Sequence, residues 1–551
     1  MSRRHGGHLL AERLVAHGVT TVFTLCGNHT LTIYEGLSDN GIELIDLRTE
    51  ASVVMAADAY ARAGRRLGVA LVTGGPAHTN ALTGLITAHS SDSPVLLLSG
   101  QADLALSGKG AQQEIDQVAV AAPLCKFAAM VDRVDRIPEL VDTAILQALS
   151  GTTGATHLSL PSDVMGESAE GIDGHGAVAS PDSGTVDTDT VAQVISLLAD
   201  ARRPVLIAGA GAYMAGASDA LTRLLDAAPL PLFTLDSARG IVPDAHPCSL
   251  GYADASLNKA AARIADADVV VLLGRRLDFR LRFGSPDAIG ADATLIDVRS
   301  PGAATDENRP RQYVVETDVA RFVDGLATAA EGREWDGRWL DDLTRIAPMP
   351  DPPASSAAAP HHPHAVALAL REAIGEDTTL VFDGGDFVQW CRGAMAALGP
   401  GQWIRLGPMS TCGAGTPFAI GAKRAHPDRP VVLVTGDGSF GYYLIEFEAA
   451  LRQHLPFVAI VGHNQSWGLE RNLQRGLFGD DYLLASDLSP TRFDQVITAL
   501  GGHGRRIEDL ADLPGALADA IASGLPSCIE IPVTLDPSPL TEAVIARGGV
   551  V

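Results

Sequence analysis

The residue types most able to do chemistry sit at the ends of two apolar runs. RPVVLVTGDGSF (429–440) closes on an Asp held between two glycines, and PFVAIVGHN (456–464) closes on an Asn. Glycines let backbone N–H groups approach an anion closely. A helix starting near Ser439 adds a dipole that favours phosphate. Asp437 alone would repel such a group, and a hard cation between carboxylate and phosphate resolves the conflict. Mg²⁺ is typically held this way, by one or two protein oxygens plus phosphates and water. The side-chain oxygen of Asn464 and a backbone carbonyl from the next turn, that of Ser466, complete a ligand set with Asp437. The spacing from Asp437 to Asn464 then reads as one βαβ crossover that brings two neighbouring strand ends to one ion. A lone GDG is an ordinary turn; the pairing with Asn464 carries the metal reading.

Positioning these residues requires parallel sheets. Twelve short apolar runs alternate with helix-like stretches. They are TTVFTL, IELIDL, GVALVTGG and SPVLLLSG, then RPVLIAGAG, PLPLFTL, DVVVLLG and ATLIDV, and last TTLVFDGG, RPVVLVTGDG, PFVAIVGHN and SCIEIPV. This alternation predicts an α/β fold of three consecutive doubly wound parallel-sheet domains. Ligands in such sheets bind at the carboxyl ends of strands. Two stretches have linker composition, Gly/Ser/Asp-rich 165–190 and Pro/Ala-rich 346–363. The expected domains are 1–165, 186–345 and 364–535, with a tail at 536–551.

Composition narrows the function. The chain has 551 residues and a formal net charge of −25, which argues against nucleic acid as a partner. Six Cys (26, 125, 248, 391, 412 and 528) form no CxxC pair, which fits a reducing compartment better than a disulfide framework or a zinc site. MSRRHGGHLLAERL lacks a signal-peptide core, and no apolar run approaches the ~20 residues of a membrane span. A cytoplasmic protein without a membrane role is expected.

The Asp437–Asn464 pattern resembles the cofactor signature of the thiamine diphosphate-dependent superfamily of decarboxylases, acetolactate synthases, 2-hydroxyacyl-CoA lyases and benzaldehyde lyases. The usual Asn-Asn close is His463-Asn464 here. The likeness extends along the chain. IELIDLRTEASVVMAADAYARAGRRLGVALVTGGPAHTN (42–80) is similar to the superfamily's first domain, and Glu50 falls where the resemblance implies the catalytic Glu that hydrogen-bonds the aminopyrimidine ring. Taken alone, Glu50 is a favourable first-turn charge. Thr73, Gly74, Pro76 and Asn80 match the loop near the pyrimidine, with Ala77 at the third position of the usual GPG. GPMSTCGAGTPFAIGAK (407–423) resembles the segment that bends the cofactor, with Cys412 at the wedge position and the Ser410 carbonyl accepting from the 4′-amino group; a merely buried Cys is the other reading of Cys412. Gly436, Gly438, Ser439, Trp467 and Gly468 complete the implied cofactor site.

The resemblance implies thiamine diphosphate and Mg²⁺ as cofactors, and small carbonyl compounds as substrates. It implies a C–C bond made or broken beside a carbonyl through a C2-enamine. It also places the cofactor between subunits, so a homodimer or a dimer of dimers is expected. Within the superfamily, VFTLCGNHTLTIYEGL (22–37), DLRTEAS (46–52) and QEIDQVAVAAP (113–123) are most similar to benzaldehyde lyases. His29 and Gln112 would then face the substrate as proton-relaying groups, although His29 also suits a helix cap. Cys26, Asn28, Leu469 and Leu473 would line an altered pocket. Acetolactate synthase is the alternative, then 2-hydroxyacyl-CoA lyase. Arg275, Arg276, Arg280 and Arg282 fall within eight residues. They read as a solvated face sooner than as a site for FAD or an adenine nucleotide. A catalytically silent cofactor-binding subunit would have lost Glu50, Asp437 or Asn464, and all three are present.

Overall fold

A computed structural model describes residues 4–178, 184–347 and 359–549. All twelve apolar runs are strands, and they belong to three six-stranded parallel sheets. The first contains β1 (Thr21–Thr24), β2 (Glu43–Asp46), β3 (Gly68–Val72), β4 (Val95–Gln101), β5 (Phe127–Met130) and β6 (Thr156–Pro161) in the order β2-β1-β3-β4-β6-β5. The second contains β7 (Pro204–Ala208), β8 (Leu232–Thr234), β9 (Ser249–Tyr252), β10 (Val269–Leu273), β11 (Thr294–Arg299) and β12 (Tyr313–Glu316) in the order β12-β11-β10-β7-β8-β9. The third contains β13 (Thr379–Phe382), β14 (Trp403–Arg405), β15 (Val431–Gly436), β16 (Val458–His463), β17 (His503–Arg506) and β18 (Ser527–Pro532) in the order β14-β13-β15-β16-β18-β17.

The central strands are buried on both faces, as in β3, β4, β10 and β16, because helices cover each sheet on two sides. The six strands without a clear sequence signal are β5, β6, β9, β12, β14 and β17. Of these, β5, β9, β12 and β17 are half-exposed edge strands, so their residues mix apolar and polar types. β6 is fully buried but carries Thr156, His157 and Ser159. Residues 179–183 and 348–358 of the two linker-like stretches lie outside the described residues.

Each sheet reverses its strand order near its middle, and the first and third reverse again at the β6–β5 and β18–β17 edges. The middle reversal falls between β1 and β3, between β7 and β10, and between β13 and β15. At such a point the loops diverge and leave a crevice.

The first and third domains are locked together by helix Glu50–Gly64. Thr49 caps it by accepting from the Ser52 N–H. Ala51 to Ala63 are all buried, because this helix packs against its sheet, helix Pro76–Ser90 and helix Gly415–Ala425. Small residues permit the close crossing: a Cβ on Gly421 would lie 2.1 Å from the Ala56 carbonyl oxygen. Arg62 forms a buried two-pronged pair with Asp58 at 2.8 and 2.9 Å and donates to the Arg405 carbonyl at 2.7 Å. Gly421→Val is expected to lower unfolding free energy by about 1–3 kcal/mol or more, through overpacking against backbone. Chemical denaturation checks this; an unchanged midpoint would refute the close crossing.

Behind helix Pro76–Ser90, His78 and His157 form a fully buried ring pair with centroids 4.7 Å apart. His78 Nδ1 meets Ser99 Oγ at 2.9 Å, while among the described residues His78 Nε2 and both His157 nitrogens have no hydrogen-bond partner. Burial lowers His78 to about 4, and burial and then His78 lower His157. An unfolded His protonates near pH ~6.5, so between there and about pH 4 the unfolded chain binds protons that the native chain refuses. Stability is therefore present above the unfolded value and drains away as pH falls through this window. Acid titration of the melting temperature should show a steep loss below pH ~6 that His78→Gln combined with His157→Leu makes shallower.

Candidate active site

The third sheet's reversal point holds a cleft of about 510 Å³, lined by Gly384, Gly385, Asp386, Cys412, Gly436, Asp437, Gly438, Ser439, Asn464, Ser466 and Trp467 through Glu470. Leu469 is in this wall; Leu473 is half-buried one turn further along helix Gly468–Phe478. The helix after β15 begins at Asp437 itself, two residues before the Ser439 start expected from sequence. Asp437 is 4% exposed. Its Oδ1 accepts from Gly438 N at 3.0 Å and its Oδ2 from Gln465 N at 2.7 Å. Asn464 Oδ1 accepts from Ser466 N at 3.1 Å, which closes the turn. β15 and β16 pair in register, Gly436 beside Gly462, so the two strand ends do meet. Burial raises the Asp437 carboxyl, against the opposing pull of His463 and of backbone N–H groups.

The neighbouring loop 407–415 is held by Asp383 at the end of β13. This carboxylate accepts from Gly384, Gly413 and Gly415 N at 2.8, 2.9 and 3.0 Å. Burial raises it to about 6 despite those donors. The result is a fixed loop that presents Ser410, in a left-handed conformation at φ 51°, and Cys412 to solvent. Asp386 latches the tail. Its Oδ1 accepts from Ser538 N and Oγ at 3.2 and 2.7 Å and from Thr541 Oγ1, while its Oδ2 accepts from Asn472 at 2.8 Å.

In the first domain, Glu50 opens its helix half-exposed, with Asn80 Nδ2 donating to its Oε2 at 3.1 Å. Buried Glu446 of the third domain accepts from Arg48 N at 2.9 Å and Thr49 Oγ1 at 3.1 Å, and so fixes the residues just before Glu50. At the β1/β3 reversal, buried His29 meets Thr73 Oγ1 at 3.0 Å; Gly74 is buried there, while Pro76 is exposed. Burial lowers His29 below the usual histidine value. Cys26 and Asn28 flank it, Cys26 exposed just past the strand end and Asn28 exposed at the start of the next helical turn.

Gln112 points to a neighbour. It is exposed, whereas Gln113 adopts φ 61°, has a buried Oε1 without a partner, and packs against Gly75, whose Cβ would sit 2.7 Å from it. The only sequence signal was the doubled Gln, which leaves the register open by one.

Three family descriptions match this chain in series. The N-terminal TPP binding domain of thiamine pyrophosphate enzymes matches residues 4–120, the central domain 191–326, and the C-terminal TPP binding domain 383–531. The chain is 34% identical over 540 residues to a probable acetolactate synthase of Mycobacterium bovis, covering 97% of this chain and 96% of the relative. This chain is a thiamine pyrophosphate enzyme. It is also 32% identical over 546 residues to 2-hydroxyacyl-CoA lyase 2 of Homo sapiens, covering 91% of this chain and 85% of the relative. The Caenorhabditis elegans lyase of the same name is 32% identical over 557 residues, covering 92% and 85%.

The residues of this thiamine pyrophosphate enzyme fit the diphosphate and its cation. Gly436 faces open space, where any Cβ would intrude on the cleft, and Gly438 can carry none because Trp467 lies 2.6 Å from that position. Asp437 and Asn464 offer hard oxygens, the donor chemistry of Mg²⁺. Every residue lining the cleft comes from the third domain, so Glu50 is not in it.

A second cleft, of about 1110 Å³, opens beside Ser410 between the central and third domains. Arg280, Arg282, Arg392, Arg405 and Arg547 line it. The solvated-face reading of the central arginines is corrected for two of the four: Arg275 and Arg280 side chains are 6% and 7% exposed and converge on buried Asp236. Among the described residues buried Arg405 Nη1 has no hydrogen-bond partner and only Asp236 at 3.6 Å, and burial followed by repulsion from Arg280 and Arg392 depresses its pKa. At the β7/β10 reversal point, by contrast, the cationic groups are matched: Arg275 by Asp236 and Asp278, Arg276 by Asp92, and Arg299 by Asp297 and Glu316. Among the described residues, no helix is long and apolar enough to cross a membrane.

Asp386→Ala leaves four donors buried without their acceptor. A stability loss of about 2–4 kcal/mol is expected, with faster tryptic cleavage at Arg547 in limited proteolysis. A tail as resistant as wild type would show that the latch does not hold it.

Proposed function

We propose that this enzyme uses thiamine diphosphate and Mg²⁺ to cleave or form the C–C bond beside a carbonyl, and that its substrate is anionic, a 2-keto acid or a 2-hydroxyacyl thioester. The arginine cleft beside Ser410 carries this reading. Five guanidinium groups line it, and the acids beside them, Asp236, Asp254 and Asp287, are fewer than the five. Arginine pairs well with carboxylate and phosphate oxygens. The synthase and 2-hydroxyacyl-CoA lyase names of the relatives agree with a charged substrate. A neutral 2-hydroxy ketone, the benzaldehyde lyase-like reading, is favoured by a different observation: His29 is buried and its pKa lowered, which suits proton transfer without a fixed charge.

When bound, thiamine diphosphate supplies a carbanion that adds to the carbonyl and stabilises charge as the neighbouring bond breaks. The chain's own residues do the rest. Asp437, Asn464 and the Ser466 carbonyl hold the cation. The Ser410 carbonyl, fixed by Asp383, receives the aminopyrimidine. Glu50, kept in place by Glu446 and Asn80, holds and moves the proton on the ring. Gln113, in place of the exposed Gln112, presents its amide to the reacting carbonyl. Since Glu50, Asn80, Ser410 and Cys412 all lie at the surface of one chain, we infer a homodimer or dimer of dimers in which a partner copy closes the site. The setting we infer is cytoplasmic.

Product analysis by mass spectrometry with pyruvate, a 2-hydroxyacyl-CoA and benzoin, each with thiamine diphosphate and Mg²⁺, tests the reading. Turnover of one of the first two is expected. Cleavage of benzoin alone would move the protein to the neutral acyloin reading. Arg547→Ala should raise KM for the anionic substrate about 3–10-fold with kcat nearly unchanged, since one exposed charge contributes binding more than chemistry. Glu50→Gln should lower kcat about 10²–10⁴-fold; near-normal turnover with cofactor saturating would overturn its role.

A further inference from the structure

One buried amide ties together the ends of three adjacent strands of the first sheet, β3, β4 and β6. Gln117, the first residue of helix Gln117–Ala121, is 1% exposed. Its Oε1 accepts from Gly75 N at 3.0 Å, just past β3. Its Nε2 donates to the Gly100 carbonyl of β4 at 3.2 Å and to Ser159 Oγ of β6 at 2.8 Å. Ser159 Oγ in turn donates to Gln101 Oε1. The partners fix the amide's orientation, because Gly75 N can only donate and the Gly100 carbonyl can only accept. Gly75, at φ 61°, is the cap of helix Pro76–Ser90 and has no side chain to serve it. Gln117 satisfies its N–H from 42 positions away, the part that a Gln or Glu inside the helix plays in a capping box. Both glycines that this amide holds are seats for candidate substrate-facing residues. A Cβ on Gly75 would lie 2.7 Å from the Cβ and from the carbonyl oxygen of Gln113, and a Cβ on Gly100 would lie 2.7 Å from the His29 Cβ.

We propose that Gln117 is a positioning residue: it fixes Gly75, and through Gly75 the place of Gln113. The inference rests on the reading that Gln113 presents its amide to the reacting carbonyl. Gln113 adopts φ 61°, and among the described residues its buried Oε1 has no hydrogen-bond partner, so that oxygen is not what holds it in place. The loop before it is pinned by Glu114, which accepts from Gly108, Gly110 and Ala111 N. The opposite side of Gln113 rests on Gly75, and that is the side Gln117 controls. An apolar side chain of the same length would fill the space but strand the Gly75 N–H and the Gly100 carbonyl, and the turn would shift to find other partners. A misplacement of about 1 Å at a reacting centre can cost about 10²-fold in rate.

The test measures kcat and KM of the full-length enzyme with thiamine diphosphate and Mg²⁺, on whichever of pyruvate, a 2-hydroxyacyl-CoA and benzoin it turns over. Gln117→Met should lower kcat about 10–100-fold with KM within about 3-fold of wild type. Gln113→Ala should cost as much. The double variant should lose no more than Gln113→Ala alone, because the two changes remove one shared contact. A merely structural Gln117 would lower the melting temperature and leave kcat per folded molecule at the wild-type value, which would overturn the proposal. Additive losses would send the effect through Asn80 and Glu50, by way of the same helix, and overturn it as well. Should Gln117→Met fail to fold, Ser159→Ala withdraws one anchor of the amide and should lower kcat about 2–10-fold at unchanged KM; wild-type kcat there would refute the role of Gln117. Full kcat in Gln113→Ala would instead overturn the reading of Gln113, and the inference with it. A wild type silent on all three substrates would overturn the proposed function itself.

Discussion

A carboxylate buried at a strand end beside an open cleft is the constraint on which the third domain depends. Asp437 has lost most of its water and faces a place suited to another anion. In the proposed reading a cation offsets both penalties. The glycines on either side, the in-register β15–β16 pair and the turn at Asn464–Ser466 all follow from it. They bring oxygens to one point and clear side chains from the route of the diphosphate. The backbone N–H groups on Asp437 make the carboxylate rigid at the cost of little else.

The rest of the molecule extends that fixed point outward. Asp383 converts three backbone donors into a stiff loop, and Asp386 ties the tail to the same strand end. Glu446 reaches from the third domain to hold the residues before Glu50. Each uses a buried carboxylate with several donors, so the site is assembled by hydrogen bonds that are costly to leave unmade. The tight crossing at Gly421 and Ala56 gives the first domain a fixed seat. One chain alone still leaves Glu50 and Cys412 at its surface, which is why a second copy belongs in the functional reading.

Much of this was legible in the sequence. Most of the twelve strands announced themselves because buried parallel strands are runs of Val, Leu and Ile; Asp437 and Asn464 stood out because they close such runs, and Glu50 through its place in the family pattern. The edge strands β5, β9, β12 and β17 were silent because they mix exposed and half-buried positions. β6 was silent because His157 and Ser159 interrupt it. Gln112, singled out from the doubled Gln, is exposed while the neighbouring Gln113 turns its amide oxygen inward, since local spacing cannot fix a left-handed residue in a loop.

What the sequence by itself determined is whatever local periodicity and short spacing encode: three α/β domains, the Asp437–Asn464 pair in one crossover, and the Glu at a helix start. What only the tertiary structure decided is whatever joins distant segments. Arg280, Arg392, Arg405 and Arg547 belong to the central domain, two elements of the third domain and the tail, and they become one cationic cleft only when those elements pack. His463 and Glu530 are 67 positions apart and meet because β16 and β18 are neighbours. Charge and hydrogen bonding act through space, and only the folded chain sets those distances.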